Sequence, residues 1–194
     1  MSGRPDSIRT GEADDSEVND LLETAKESYG DAAYFGAMAH RPELLKRILD
    51  TFEEFGQGER IDGALLELMR LKIAECHQCA YCATVRTLDV REAVAHKEDA
   101  VFGTVDEESL TRGEYLAVRL AEQLSEDPHR LTGGFFDELR DVYTEPEIIE
   151  LLLFGSLEVG LDRFCIALEL QTTDDSAYPD DLEYPLENPR PKTE

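Results

Sequence analysis

The sequence predicts an all-α fold, and three observations carry that prediction. Apolar residues recur at intervals of three and four through most of the chain, as on the buried stripe of a helix. No stretch alternates apolar and polar residues in the manner of a half-buried strand. No glycine-rich phosphate loop and no internal repeat breaks the pattern.

Residues 1–15 are polar and acidic and read as a disordered N-terminus. Ser16 is placed to cap a helix to about Ser28, with Val18, Leu21, Leu22 and Ala25 as its stripe. Gly30 to Met38 reads as a small-residue connection. Pro42 suits the first turn of the next helix, where a missing N–H does no harm. Leu44, Leu45, Ile48, Leu49, Phe52 and Phe55 mark its buried side, and Gly56 and Gly58 end it. From Asp62 to His77, Leu65, Leu68, Met69 and Ile73 keep a helical period while Leu66 and Leu71 add apolar surface elsewhere, so this helix should be enclosed.

A short helix is expected from Cys79 to Leu88, further helix from Asp89 to Val101, and an acidic loop from Gly103 to Glu108. Thr111 to Ser125 is helical, Pro128 breaks the chain, and Gly133 to Tyr143 holds short helical structure. The last helix opens near Pro146 and runs to about Leu170. It is apolar on nearly every side, so it is central or lies between subunits. The domain thus spans 16–172. The acidic tail 173–194, with Pro179, Pro185, Pro189 and Pro191, reads as extended or disordered.

Composition narrows the function. The 194 residues make one domain, and 44 Asp and Glu against 19 Lys and Arg give a formal charge of −25. Such a surface repels nucleic acid and anionic membrane, so neither is expected as a partner. Acid-rich, lysine-poor surfaces are usual in salt-loving sources, and a halophilic source is expected. No segment has the length and apolarity of a membrane span, and the N-terminus lacks a signal-peptide core; a cytoplasmic protein is expected.

The chemistry is concentrated between Glu67 and Arg86. Cys79 and Cys82 form a C-x-x-C, and residues three apart share a helix face. If Cys79 opens the helix, its sulfur meets the free N–H groups of the first turn, which favour a thiolate. Arg86, four beyond Cys82, shares the face if the helix continues, and its charge would support that thiolate. A bend near Gln78 would bring Glu67 towards the sulfurs; pairing with Arg70 is the plainer account of that glutamate. Tyr81 can hydrogen-bond near the site or simply pack. His77 is either a proton source beside Cys79 or a histidine facing its own helix end. Cys76, His77, Cys79 and Cys82 offer four metal ligands in seven positions, but a consecutive helical set closes a tetrahedron poorly, so no metal is expected. Cys165 sits in the apolar last helix and reads as core.

Together these residues resemble the superfamily of alkylhydroperoxidase D and carboxymuconolactone decarboxylase, in its peroxidase-related branch. The likeness runs from about residue 30 to 170. It is carried by Ala-His-Arg-Pro-Glu-Leu-Leu at 39–45, by Glu67 with Arg-Leu-Lys-Ile-Ala after it, by Cys79-Ala-Tyr-Cys82, and by Arg163-Phe164. The resemblance implies an alkylhydroperoxidase D-like helical bundle in a homo-oligomer. It also implies an antioxidant thiol peroxidase without cofactor, taking a hydroperoxide substrate and an external dithiol or thioredoxin-like reductant. It makes Cys82 the attacking and Cys79 the resolving sulfur, whereas the helix-terminus argument alone favours Cys79 as the thiolate. Glu67 takes the place of the family's glutamate. The family's histidine position holds Arg86, which cannot act as a base, so the proton route must run elsewhere, through water or His77. Two other readings stand beside this one. The first is a redox-sensing or structural oligomer with a switching disulfide. The second is a lactone decarboxylase, whose members typically do without the cysteine pair.

Overall fold

A computed structural model describes residues 3–56 and 61–187, so Gly58, Pro189 and Pro191 lie outside the described residues. Ten helices and no strand are found among the described residues. They are α1 (Ser16–Tyr29), α2 (Ala33–Met38), α3 (Pro42–Gly56), α4 (Gly63–His77), α5 (Ala80–Thr84), α6 (Arg91–Ala95), α7 (Glu98–Val101), α8 (Arg112–Glu126), α9 (Gly133–Arg140) and α10 (Glu145–Leu168). The all-α expectation holds.

Helix α4 is the axis of the bundle. Leu66, Met69 and Ile73 pack against Ala117, Leu120 and Ala121 of α8 and against Leu151 and Phe154 of α10. Its other side presents Leu68 and Leu71 to Val94, Val101 and Phe102. An enclosed helix must satisfy its charged side chains internally. Lys72, 2% exposed, does so through Glu75 and the carbonyls of Val101 and Gly103. Helix α10 is central along Leu151, Phe154, Asp162 and Cys165, but Ile149 and Leu153 remain exposed.

Several boundaries differ from the sequence expectation. Asp15, not Ser16, caps α1 by accepting from the Glu17 N–H. The connection 30–38 contains α2, opened beside Asp31, whose carboxylate takes the Ala33 N–H. Residues 89–101 break into a 3-10 turn followed by α6 and α7 rather than one helix. Leu44, expected on the buried side of α3, is 50% exposed, because the stripe that meets the core runs through Leu45.

The most consequential difference is that α5 stops at Thr84. A helix continuing to Leu88 would join the Cys82 carbonyl to the Arg86 N–H. Instead Arg70 donates to the Cys82 carbonyl at 2.6 Å and to the Val85 carbonyl at 2.8 Å, while the Arg86 N–H turns to the Tyr178 hydroxyl at 3.1 Å.

The chain segments outside the helices lie along the bundle. Ile8 N–H meets the Gly36 carbonyl at 3.1 Å, and the Ile8 carbonyl passes so close to Gly36 that a Cβ there would collide with it. The tail folds back over α5: Thr173 donates twice to Asp31, and the Leu186 N–H reaches the Gln78 carbonyl at 2.9 Å.

The charge of −25 has a thermodynamic consequence. Self-repulsion destabilises a compact chain, and raising salt from ~0.1 M to ~1 M shortens the screening length from ~10 Å to ~3 Å. The melting temperature is therefore expected to rise across that range in sodium chloride. A thermal scan showing no rise would mean that the acids are already balanced locally.

Candidate active site

The site forms where α4 ends and α5 begins. Gln78 adopts a left-handed conformation, φ 55°, and ends α4 by donating to the carbonyls of Ala74 and Glu75. The chain turns there, as the sequence requires if Glu67 is to approach the cysteines. Cys79 is the N-cap of α5: its sulfur accepts from the Cys82 N–H at 3.4 Å. Cys79 and Cys82 sulfurs are 2.7 Å apart, beyond the ~2.05 Å of a disulfide bond. All four cysteines are free thiols.

A third sulfur joins them. Cys165 of α10 places its Sγ with those of Cys79 and Cys82, all within 4.8 Å of one another. Among the described residues this is the grouping of Cys, His and carboxylate ligand atoms close enough to hold a metal ion. Cys76 and His77, considered as zinc ligands from the sequence, are not part of it. Burial pushes the Cys76 thiol up to about 12.

The trio divides its charge unequally. Burial disfavours a thiolate at Cys79, but hydrogen bonds from Cys165, from Cys82 and from the Cys82 N–H outweigh it and hold its pKa well below the ordinary thiol value. Burial and the donation to Cys79 keep Cys82 protonated. Donation to Cys79, then burial, do the same for Cys165. One negative charge thus rests on Cys79 and is shared through two S–H donors. The N-terminus of α5 contributes through the Cys82 N–H alone.

In front of Cys82 lies a cavity of about 180 Å³, walled by Tyr34, Phe35, Phe55, Phe154, Glu67 and Asp162 among others. Tyr81, Arg70 and Arg86 also border it. Cys82 is half-buried and faces this space, whereas Cys79, 0% exposed, stands behind. The volume is comparable to the ~150 Å³ apolar cavity that accepts a benzene-sized guest.

Each residue singled out in the sequence has a definite place. Glu67 is paired side by side with Arg70, at 2.6 and 2.8 Å, and accepts from the Thr87 hydroxyl at 2.8 Å. Burial would raise its pKa, but Arg70 and Thr87 prevail and hold it below the usual carboxylate value. The plainer pairing therefore exists alongside a position on the cavity wall. Arg86 is buried and pairs with Glu98 at 2.9 Å, while also donating to the Ala83 carbonyl at 2.5 Å. Because α5 ends at Thr84, the shared-face argument that aimed Arg86 at the sulfurs does not apply. Tyr81 donates to buried Asp31 at 2.6 Å, and its N–H is held by the Tyr184 hydroxyl at 3.1 Å. His77 donates or accepts through Nδ1 with Asp162 at 2.9 Å, while its Nε2 is buried without a hydrogen bond.

Three site residues escaped the sequence reading: Asp162, Glu158 and Cys165. Asp162 is 3% exposed and interacts with both Cys79 and Cys82. Burial raises its pKa to about 6, against the lowering contact with His77. Burial likewise raises Glu158 to about 8, with Arg70 opposing and Asp162 and Glu67 adding to the rise. A signal existed. An Asp in an all-round apolar helix has to be satisfied by a distant partner.

No protein-family model matches the chain. No curated protein is similar to it in sequence. Solved structures match in fold. The debrominase Bmp8, in its apo form, superposes with a TM-score of 0.73 at 19% identity, over 88% of this chain and 92% of that one. A cysteine-to-alanine variant of Bmp8 in complex with 2,3,4-tribromopyrrole gives 0.72 at 18%, over 88% and 91%. An uncharacterized peroxidase-related protein from Ralstonia eutropha JMP134, with an alkylhydroperoxidase AhpD core, gives 0.69 at 15%, over 89% and 95%. Another peroxidase-related protein, from Silicibacter sp. TM1040, gives 0.72 at 15%, over 89% and 94%. The chain has the alkylhydroperoxidase D-like fold.

Proposed function

We propose that this chain is a thiol-based oxidoreductase that reduces a small, largely apolar hydroperoxide. The observation that carries this reading is the order of the groups: Cys82 at the cavity wall, the Cys79 sulfur 2.7 Å behind it, and Asp162 beside both. The fold neighbours support it only as far as fold.

The sulfur facing the cavity is protonated at rest, so it must lose its proton to attack. Asp162 takes that proton, and the Cys82 thiolate attacks the outer peroxide oxygen. The O–O bond breaks, the alcohol leaves with the proton returned by Asp162, and Cys82 becomes a sulfenic acid. The Cys79 thiolate then attacks the Cys82 sulfur and displaces hydroxide, which leaves as water after taking one proton from solvent. An external dithiol reduces the disulfide. Arg70, oriented by its pair with Glu67, holds the carbonyls of Cys82 and Val85. In this scheme Asp162 supplies the proton route that Arg86 cannot.

The aromatic cavity favours a second substrate class. A halogen on an electron-rich ring is, like a peroxide oxygen, an atom a thiolate can take, and a benzene-sized ring fits the volume. Reductive dehalogenation would use the same sulfur pair: Cys82 takes the halogen, the ring carbon takes the proton held by Asp162, and the Cys79 thiolate displaces halide from the Cys82 sulfur to close the same disulfide. Reduced protein is therefore to be mixed with cumene hydroperoxide or with tribromopyrrole, and thiols counted. Loss of two thiols per chain, with water and cumyl alcohol or with a debrominated pyrrole as product, identifies the substrate class. A disulfide that forms without turnover under excess dithiothreitol leaves the redox-switch reading instead.

Asp162→Asn tests the proton route. With a carboxyl pKa of about 6, kcat/KM of the native protein should rise with pH and level off above that value. The variant should lose that limb and roughly 10²-fold in rate, the usual scale for a general base. An unchanged pH profile would remove Asp162 from the chemistry.

A homo-oligomer is proposed with this activity, using the exposed Ile149 and Leu153 one turn apart on α10 as the contact with a second copy. Sedimentation of Leu153→Glu against the native chain tests it: an unchanged native-size species would place the contact elsewhere or deny it.

A further inference from the structure

We propose that Cys165 is a third redox thiol, which takes over the disulfide from Cys82 and returns the cavity sulfur to its reduced state. The proposal rests on the redox pair described above and extends it to a sulfur 83 positions further along the chain.

The geometry is that of a shared centre. Cys79 is held at the start of α5, and α10 runs behind it, so Cys165 and Cys82 approach it from different elements. The three sulfurs lie within 4.8 Å, so any pair can close to a bond by side-chain rotation and small backbone shifts. Cys79 and Cys165 are both 0% exposed, and Cys82 alone of the three lines the cavity. Substrate therefore meets Cys82, while the other pair is shielded from it.

The exchange balances without a further reagent. The Cys165 sulfur attacks Cys79 in the Cys79–Cys82 disulfide, the Cys79–Cys165 bond forms, and the Cys82–sulfur bond breaks. The Cys165 proton passes to Asp162 and from there to the departing Cys82. No electron is gained or lost overall. The state of the trio favours this order. At rest Cys165 is kept protonated above all by donating to the Cys79 thiolate, and that charge disappears once Cys79 is in a disulfide. Cys165 is thereby released to act only after the first oxidation. The consequence is a store for one oxidising equivalent: the cavity thiol is restored before the external dithiol arrives, and reduction proceeds by the reverse exchange.

The test uses the native chain. Reduced protein is oxidised with one equivalent of diamide, quenched in acid at intervals, alkylated and digested with trypsin. Cleavage after Lys72, Arg86 and Arg163 leaves a Cys79–Cys82 bond internal to peptide 73–86. A Cys79–Cys165 bond joins that peptide to the one beginning at Phe164. The expected result is the internal bond first, then the joined pair at its expense. Iodoacetamide added before denaturation should label Cys82 in the same fraction, and in oxidised Cys165→Ala it should label no Cys82. The proposal is overturned if the internal bond persists with Cys165 always free, or if fragment ions place the join at Cys76. Diamide needs no hydroperoxide chemistry, so this result stands apart from the choice of substrate. Failure to form even the internal bond would sink the redox pair and the third thiol together.

Discussion

Replacing Cys82 by serine is expected to abolish substrate turnover, a fall on the order of 10³-fold or more, as for loss of other essential nucleophiles. Serine keeps the volume and can still donate to the Cys79 sulfur, so the fold and the resting charge on Cys79 should survive. What it cannot do is attack: its oxygen stays protonated at neutral pH and forms no sulfenic acid. Cys79→Ser should behave differently. Cys82 can still take one oxygen atom, and the sulfenic acid then lacks its resolving neighbour. One rapid turnover followed by arrest is expected, with the oxidised sulfur trapped by dimedone. Cys82→Ser is assayed by steady-state hydroperoxide consumption with excess dithiothreitol, and Cys79→Ser by a single mixing with hydroperoxide in the absence of added thiol, since a dithiol would reduce the sulfenic acid, each followed by mass spectrometry. A Cys82→Ser protein that retains half its rate, or a Cys79→Ser protein that arrests without oxidation at Cys82, would reverse the assignment. Cys79 would then be the attacker, as its capping position alone suggests.

That reversal is a fair contest because two physical cues disagree. The helix N-terminus and two thiol donors place the charge on Cys79. Access places the chemistry on Cys82, the sulfur that faces the cavity. Nucleophilicity requires a thiolate, but a thiolate sealed behind its neighbour meets no substrate. Asp162, beside both sulfurs, reconciles them, since the Cys82 proton has to move only to that neighbouring carboxylate for Cys82 to become charged.

The sequence carried the local part of this arrangement. The enclosed α4 follows from its period and is found, and the two conditions on which the site reading depends, Cys79 opening its helix and a bend near Gln78, are both met. Arg86 was misplaced because the shared-face argument assumed a continuing helix. What stops α5 is Arg70, twelve residues before Cys82, taking two carbonyls that a longer helix needed. No local propensity announces such a contact. Cys165 gives no signal, and Asp162 signals only that it needs a partner, for a related reason: a helix apolar on every side has no face to read, so nothing in its pattern says which turn meets α5. The tail was hidden by composition. Its acids and prolines suggest no packing, yet Tyr178 and Tyr184 supply the hydroxyls that hold the Arg86 and Tyr81 N–H groups.

Arg70→Ala is expected to destabilise the protein by about 3–5 kcal/mol, the cost of breaking a buried ion pair from one side. Arg70 makes four hydrogen bonds in this region, two to Glu67 and one each to the carbonyls of Cys82 and Val85. Its removal leaves Glu67, 3% exposed, with Thr87 as its remaining partner. For a chain of this size each kcal/mol corresponds to about 2–4 °C, so the melting temperature should fall on the order of 10 °C. Arg130→Ala, which breaks an exposed pair with Glu126, should change stability by less than about 1 kcal/mol. The pH dependence has a sign. Glu67 has a folded pKa below its unfolded value of about 4.3, so its pairing stabilises above that value and the gain is lost as pH falls through the folded pKa. The gap between native and Arg70→Ala should therefore narrow on acidification. Adding Glu67→Gln should recover part of the loss at neutral pH, because the orphaned charge is gone, but not the two carbonyl contacts that end α5. Urea unfolding of the three variants decides it. An Arg70→Ala protein within 1 kcal/mol of native, or a double variant no better than the single, would show that the Glu67–Arg70 pair does not hold the cysteine turn in place.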